Sequence, residues 1–176
     1  VSSVSRSGIS YIDGIESGVK WASGNLTYSF PTSSSYYGST YGSGEQNNGF
    51  KAFTPIQQAA TTWILDMYSQ VANLHFTQIT ETTTQSATLR YAESNSPSTA
   101  WGYYPSTAPE GGDAWFNNSS HWYDNPVVGN YAWLTIMHES GHLLGLKHPQ
   151  DVSGSFGALP VSGDSLEYTV MSYRSY

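Results

Sequence analysis

Cysteine is absent from the 176 residues. That excludes disulfide frameworks, thiolate-ligated zinc, iron–sulfur clusters and thiol catalysis together, and leaves the redox compartment open. Basic charge is scarce, with six Lys and Arg against thirteen Asp and Glu and a net charge of −7. No basic face exists to neutralise a phosphate backbone, so nucleic acid is excluded as a partner. Nothing approaches the run of roughly 20 apolar residues that a spanning helix requires. Val1 to Ser10 is Ser-rich and lacks the apolar stretch of a signal peptide, so no membrane partner is expected and the chain reads as soluble or already processed. Charged residues make up only 11% of the chain while aromatics reach 15%, fourteen of them Tyr. The polar surface must therefore be built from Ser, Thr, Asn, Gln and Tyr, which suits an extracellular protein. With 38% hydrophobic residues, this length supports one sizeable core and one domain.

Tyr11, Ile12, Ile15 and Val19 fall at roughly helical spacing and predict a short helix within Tyr11 to Trp21, although Gly14 and Gly18 interrupt it. Leu26, Tyr28 and Phe30 alternate with Thr27 and Ser29 before Pro31, the period-two pattern of a half-buried strand. Thr32 to Gly49 is almost wholly Ser, Gly, Tyr, Asn and Thr. It is too poor in aliphatics to pack and is expected to be a mobile surface loop. A helix follows, with Thr54 as N-cap, Pro55 in the first turn and Gln57 completing a capping box. Its apolar stripe is read as Ile56, Ala60, Trp63, Ile64, Met67 and Val71, packed on a sheet. Leu74 with Phe76, and Ala87, Leu89 and Tyr91, read as two more strands, so an α+β domain with a mixed sheet results. After a long Pro-containing connection, Asp113 to Asn117 is expected to pair at a sheet edge. No repeat and no Gly-rich calcium-binding nonapeptide is visible.

The chemistry lies in the segment from Tyr131 to Pro149. On a helix, His138 and His142 are four residues apart, so their imidazoles leave one face one turn apart and reach a single metal ion. Gly145 lets the backbone turn out of the helix in a left-handed conformation, and the returning chain supplies His148. Three neutral imidazoles at about 2.0 to 2.1 Å leave zinc one open position, the mark of a catalytic rather than a closed structural site. They suit zinc best among abundant ions. Glu139 points to the neighbouring side of the helix, placed to accept a proton from water at that position. At this composition the string H-E-x-x-H-x-x-G-x-x-H arises by chance in about one sequence in 10⁵, so accident does not compete. A structural zinc site is the better rival, and it would want a fourth protein ligand, often a thiolate. His75 and His121 have no metal-like spacing to the triad and are read as ordinary residues.

This string matches the metzincin form of the zincin motif, and the sequence resembles the catalytic domain of the serralysins. Pro149 follows the third histidine, as in that family, and Tyr168-Thr-Val-Met171-Ser-Tyr173 resembles its Met-turn. Leu26 to Phe30 resembles the family's first strand, and Thr54 to Phe76 its first long helix and following strand. The resemblance implies a zincin-like α+β fold, a twisted mixed sheet with a long backing helix and an active-site helix. It implies zinc on His138, His142 and His148, Glu139 as general base and Met171 as the hydrophobic floor. It further implies Tyr173 as a zinc ligand in the free enzyme that swings away to stabilise the oxyanion. Metzincins bind peptide as an added antiparallel strand, which makes Ala114 and Trp115 the candidates for substrate contact. The stretch from Asp151 to Glu167 would wall the pocket beyond the scissile bond, without strong charge preference.

Two features depart from the family. Serralysins continue after the Met-turn into a helix and a calcium-filled β-roll, so residues 1–176 are expected to form a catalytic domain without them, any calcium belonging to that absent region. Arg174 stands where the family usually carries an aromatic residue. The resulting expectation is a secreted, monomeric zinc endopeptidase acting on protein or peptide substrates. The alternative is a binding or adhesion module that keeps the scaffold and zinc without cleaving; the intact Glu139 argues against it. A metal-storage domain is disfavoured by the single well-formed site.

Overall fold

The computed structural model describes residues 1–152 and 156–175. Its centre is a mixed sheet whose strand order is β5 (His75–Gln78), β3 (Asn25–Ser29), β6 (Leu89–Ser94), β8 (Asp113–Asn117) and β7 (Ala100–Gly102). The first four run parallel, β7 closes the row antiparallel to β8, and the short β4 (Lys51–Ala52) pairs antiparallel with β6. A small hairpin of β1 (Ser2–Ser3) and β2 (Val19–Lys20) lies apart from it. No helix among the described residues is long and apolar enough to cross a membrane.

Alternation along β6 and β8 sends residues to two covered faces. Leu89, Tyr91, Ala114 and Phe116 enter the main core, where they meet Ile64 and Leu65 of helix α2 (Pro55–Val71) and Ile136 and Leu143 of helix α3 (Tyr131–Leu144). Ala92 and Trp115 turn to the opposite face and pack with Tyr37 and Tyr41. The expectation of a mobile loop over Thr32 to Gly49 is therefore overturned. Aromatic rings do the packing that aliphatics would have done: Tyr37 lies 4.8 Å from Trp115 between ring centroids, and Trp115 Nε1 donates to the Tyr41 hydroxyl at 2.8 Å. Glu45 is buried in the same segment and accepts from the Tyr103 hydroxyl.

The same face holds a buried ion pair. Arg90 donates from Nε and Nη2 to the two Asp113 carboxylate oxygens at 2.8 and 2.7 Å, and Nη2 also reaches the Pro109 carbonyl at 2.7 Å. The guanidinium lies over the Tyr37 ring, 4.4 Å from its centroid, and the Tyr41 hydroxyl donates to Asp113 at 2.5 Å. Burial pushes the Asp113 carboxyl up to about 7, against the donors from Arg90 and Tyr41 that favour its ionised form.

Helix α2 starts as expected, with the reciprocal Thr54–Gln57 capping box and Pro in the first turn. Its buried face shares only Ala60 and Ile64 with the apolar stripe read from the sequence. Ile56, Trp63, Met67 and Val71 are exposed, while Gln57, Ala60, Thr61, Ile64 and Leu65 face inward. The two polar members are satisfied internally, which hydropathy does not register: Gln57 Nε2 donates to the Tyr123 carbonyl at 3.0 Å, and Thr61 Oγ1 to the Gln57 carbonyl at 2.8 Å. The helix expected within Tyr11 to Trp21 shrinks to one turn, α1 (Ser10–Asp13), because Tyr11 and Ile12 are exposed and have no core to pack against.

Asp113 to Asn117 is a strand as expected, but it lies one strand inside the sheet. Ala114 pairs with Tyr91 and Gly102, and Trp115 with Ala92 and Trp101. Both residues are fully buried, so their main chain is consumed on both sides and the free edge belongs to β7.

Removing one partner of the Arg90–Asp113 pair leaves a buried charge uncompensated, which costs about 3–5 kcal/mol. Arg90→Met should lower the unfolding free energy by that order in denaturant titration, and adding Asp113→Asn should recover part of the loss. A single variant as stable as the parent would show that the pair does not hold the Tyr37–Tyr41 segment in place.

Candidate active site

Helix α3 begins at Asn130, whose side chain accepts from the Trp133 amide, and ends at Gly145 in the left-handed conformation with φ 107°. A side chain at Gly145 would also meet the Val19 carbonyl at 2.3 Å, so the reversal is built for glycine in both respects. Beyond it the chain is fastened to the N-terminal segment. Ser17 donates to the Gly145 carbonyl at 2.9 Å and Lys147 to the Ile15 carbonyl at 2.8 Å. The buried Lys147 ammonium bonds the carbonyls of Gly14 and Asp151 at 2.7 and 2.8 Å. These bonds place His148 opposite α3. The fastening role of Lys147 has no signal in the sequence, since its partners are main-chain carbonyls, one of them far away along the chain.

His138, His142 and His148 converge as expected. The Nε2 atom of His148 lies 3.1 Å from that of His138 and 3.0 Å from that of His142. Their far nitrogens are turned outward: His138 Nδ1 lies 2.8 Å from the Val170 carbonyl, and His142 Nδ1 2.8 Å from the Leu146 carbonyl. Each carbonyl can only accept, so each of these Nδ1 atoms carries the proton and each Nε2 presents a lone pair to the centre. His148 Nδ1 has Asp151 at 3.4 Å on its outer side. Lone pairs pointing at one another repel unless a cation lies between them, and the donor set of three imidazoles fits zinc. Among the described residues these three form the group suited to hold a metal ion. Burial lowers all three histidines from the usual imidazole range, His142 to about 3, which keeps the neutral, ligating forms.

Glu139 sits on the adjoining side of α3, buried, with Oε2 lacking a protein partner. Burial pushes its carboxyl up to about 8, opposed by the Gly102 amide. The Tyr173 hydroxyl reaches to 2.6 Å from His148 Nε2, and its ring stacks on His138 with centroids 5.4 Å apart. Burial pushes this phenol up to about 12, so it stays a donor at neutral pH. Met171 is fully buried under α3, and a side chain at Gly141 would stand 2.5 Å from its sulfur. Arg174, the departure noted above, turns to Asp164 with Nε 3.5 Å from Oδ2, while Ser172 Oγ donates to the other oxygen at 2.6 Å. His75 and His121 are exposed and take no part in the triad.

Two clefts meet at Glu139 and Tyr173. One, of about 290 Å³, is lined by Thr99, Leu134, Thr135, Leu166, Val170 and Ser172. The other, of about 240 Å³, runs past Gly102, His142 and Asp151. Tyr104, which sequence reasoning passed over, also lines the second cleft and meets the His142 ring edge-on at 5.5 Å. Part of the expected wall between Asp151 and Glu167, residues 153–155, lies outside the described residues; Leu166 does line the first cleft.

Residues 20–156 match the matrixin family of peptidases. The chain belongs to that family. It is 31% identical over 163 residues to Serralysin B of Dickeya chrysanthemi, covering 85% of this chain and 32% of that protein. It is 33% identical over 160 residues to Metallopeptidase AprA of Pseudomonas marginalis, covering 86% and 33%. With Serralysin of Proteus mirabilis it shares 32% over 169 residues, covering 84% and 33%. The chain thus spans about a third of the length of these relatives. Together with the mixed sheet and the helix-borne histidines, these matches make it a serralysin-type metzincin catalytic domain, and the family implies zinc.

In this metzincin domain, Gly141→Ala should drive a methyl group into Met171 and displace the carbonyl of Val170 that orients His138. Overpacking of this kind costs about 1–3 kcal/mol. Denaturation should report that loss and zinc titration a weakened affinity; unchanged affinity would separate the Met-turn from the metal site. The depressed His142 also gives the metal-free domain a pH dependence. A histidine held neutral when folded contributes stability above its ordinary value of 6.5, lost as pH falls from there toward about 3. Melting temperatures in chelator between pH 7 and 4 should fall less steeply for His142→Gln than for the parent, and equal slopes would refute the assignment.

Proposed function

We propose that this domain is the catalytic unit of a secreted, monomeric zinc endopeptidase, spanning residues 1–176 and acting on protein or peptide substrates. The observation that carries the reading is the convergence of three imidazole lone pairs beside a buried carboxylate with one unpartnered oxygen. Bound zinc would be held by His138, His142 and His148 and would supply Lewis-acid polarisation of a carbonyl and acidification of water.

The chain's own residues account for the remaining steps. The free edge of β7 can pair with an extended peptide antiparallel to it, with main-chain hydrogen bonds that do not read sequence. The peptide then runs from Gly102 toward Ala100 and Thr99, across Glu139. Residues before the scissile bond lie over the His142 cleft and those after it over the Leu134–Leu166 cleft. Glu139 takes the proton from the attacking water and returns it to the leaving amine, the role open to a buried carboxylate with one unpartnered oxygen beside the metal ligands. The Tyr173 hydroxyl donates to the oxyanion that forms on the carbonyl oxygen. Secretion is supported by the Ser-, Thr- and Tyr-rich polar complement.

Glu139→Gln should retain one zinc per chain by metal analysis and lose roughly 10³-fold or more in kcat/KM on quenched peptides. Tyr173→Phe should lower kcat by about 10²-fold with little change in KM. Peptide cleavage that survives chelator, or that persists in Glu139→Gln, would remove the mechanism; stoichiometric zinc with no cleavage by the parent would favour a binding module.

A further inference from the structure

Among the described residues, His121 is the only non-glycine residue with positive φ, at 58°. Such a backbone persists where its surroundings over-determine it, and it concentrates at sites that act on ligands. Here the surroundings are explicit. Asn117 Oδ1 accepts from the Ser120 amide at 2.7 Å, and Asn117 Nδ2 donates to the Pro97 carbonyl at 2.6 Å. Asp124 lies 3.0 Å from His121 Nδ1 through one carboxylate oxygen and accepts from Lys51 Nζ at 3.2 Å through the other.

What this fastened turn displays is Trp122, 55% exposed, set edge-on to Tyr131 with centroids 6.0 Å apart and Tyr131 itself 52% exposed. With Thr99 the two rings bound an apolar recess of about 540 Å³. Val127 and Val128 extend the exposed apolar surface nearby in the chain. The recess continues the Leu134–Leu166 cleft, since Thr99 and Tyr131 line both. A peptide paired antiparallel with β7 passes Thr99 only after the scissile bond, and its side chains alternate between two faces. The first and third residues after the bond therefore face α3; the first enters the cleft, and the third arrives at the recess.

We propose that Trp122 and Tyr131 form a subsite that selects an aromatic or large aliphatic side chain at the third residue after the scissile bond. The inference rests on the endopeptidase reading and names part of its substrate class. A tryptophan already held in place offers stacking area without the entropy cost of ordering a loose side chain, which favours binding over chemistry.

The test uses quenched peptides identical except at that third position, which carries Phe, Leu or Gly. For the parent, kcat/KM should be about 10-fold higher for Phe than for Gly, with most of the difference in KM. In Trp122→Ala the ratio should fall to within about two-fold, and Trp122→Phe should restore most of it. A parent without the preference, or a preference that survives Trp122→Ala, overturns the subsite. If the parent cleaves none of the peptides, the endopeptidase reading fails, and calorimetric binding of the same peptides to zinc-loaded Glu139→Gln protein decides the subsite separately. Tighter binding of the Phe peptide that is lost on Trp122→Ala supports it, and equal binding of all three overturns it.

Discussion

Three imidazole nitrogens whose lone pairs meet within about 3 Å impose a constraint that most of the surrounding structure serves. Left alone, such rings would rotate apart or take up protons. They are held because two of them are tied from behind by carbonyls that can only accept, those of Val170 and Leu146. Each carbonyl needs its own support. Leu146 lies on the return segment reversed at Gly145 and fastened to the N-terminal chain through Lys147. Val170 belongs to the Met-turn, seated through Met171 against Gly141. The N-terminus, the active-site helix and the C-terminal turn thereby become one mechanical unit.

The sheet supplies a rigid platform for that unit because neither face of its strands β6 and β8 is left to solvent. Helices cover one face with aliphatic and aromatic packing. The other is covered by the Tyr-rich segment after β3 and by the Arg90–Asp113 pair. Covering both faces explains why β6 and β8 are buried throughout, while β7, at one end of the row, keeps a free edge beside Glu139. In the proposed function, peptide pairing and catalytic geometry would both depend on one strand–helix contact, the approach of Gly102 to the Glu139 carbonyl and Leu143.

The legible parts of the sequence were those governed by short-range chemistry. The capping box at Thr54 and Gln57, the four-residue interval of His138 and His142, and the reversal at Gly145 depend on a few bonds along the chain, and the structure contains each of them. Failures arose where a residue's environment is built by distant segments. The apolar stripe of α2 held at Ala60 and Ile64 and was misread elsewhere, because Gln57 and Thr61 are buried with their hydrogen bonds completed by distant or backbone groups. Thr32 to Gly49 was misread because its tyrosines find Trp115 and Asp113 more than 70 residues away along the chain. Asp113 to Asn117 showed its strand character, but its position in the sheet depends on which strands pair beside it.

The sequence by itself determined the candidate ligand set, since helical spacing puts His138 and His142 on one face and the reversal at Gly145 returns the chain toward them at His148. Only the tertiary structure decided which strand is free to meet a peptide, which carbonyls orient the imidazoles, and that Tyr104 and Trp122 stand beside the clefts. The physical reason is range: spacing along a helix is set by backbone geometry within a few residues, whereas edge, burial and orientation are set by the packing of segments that have no proximity in the chain.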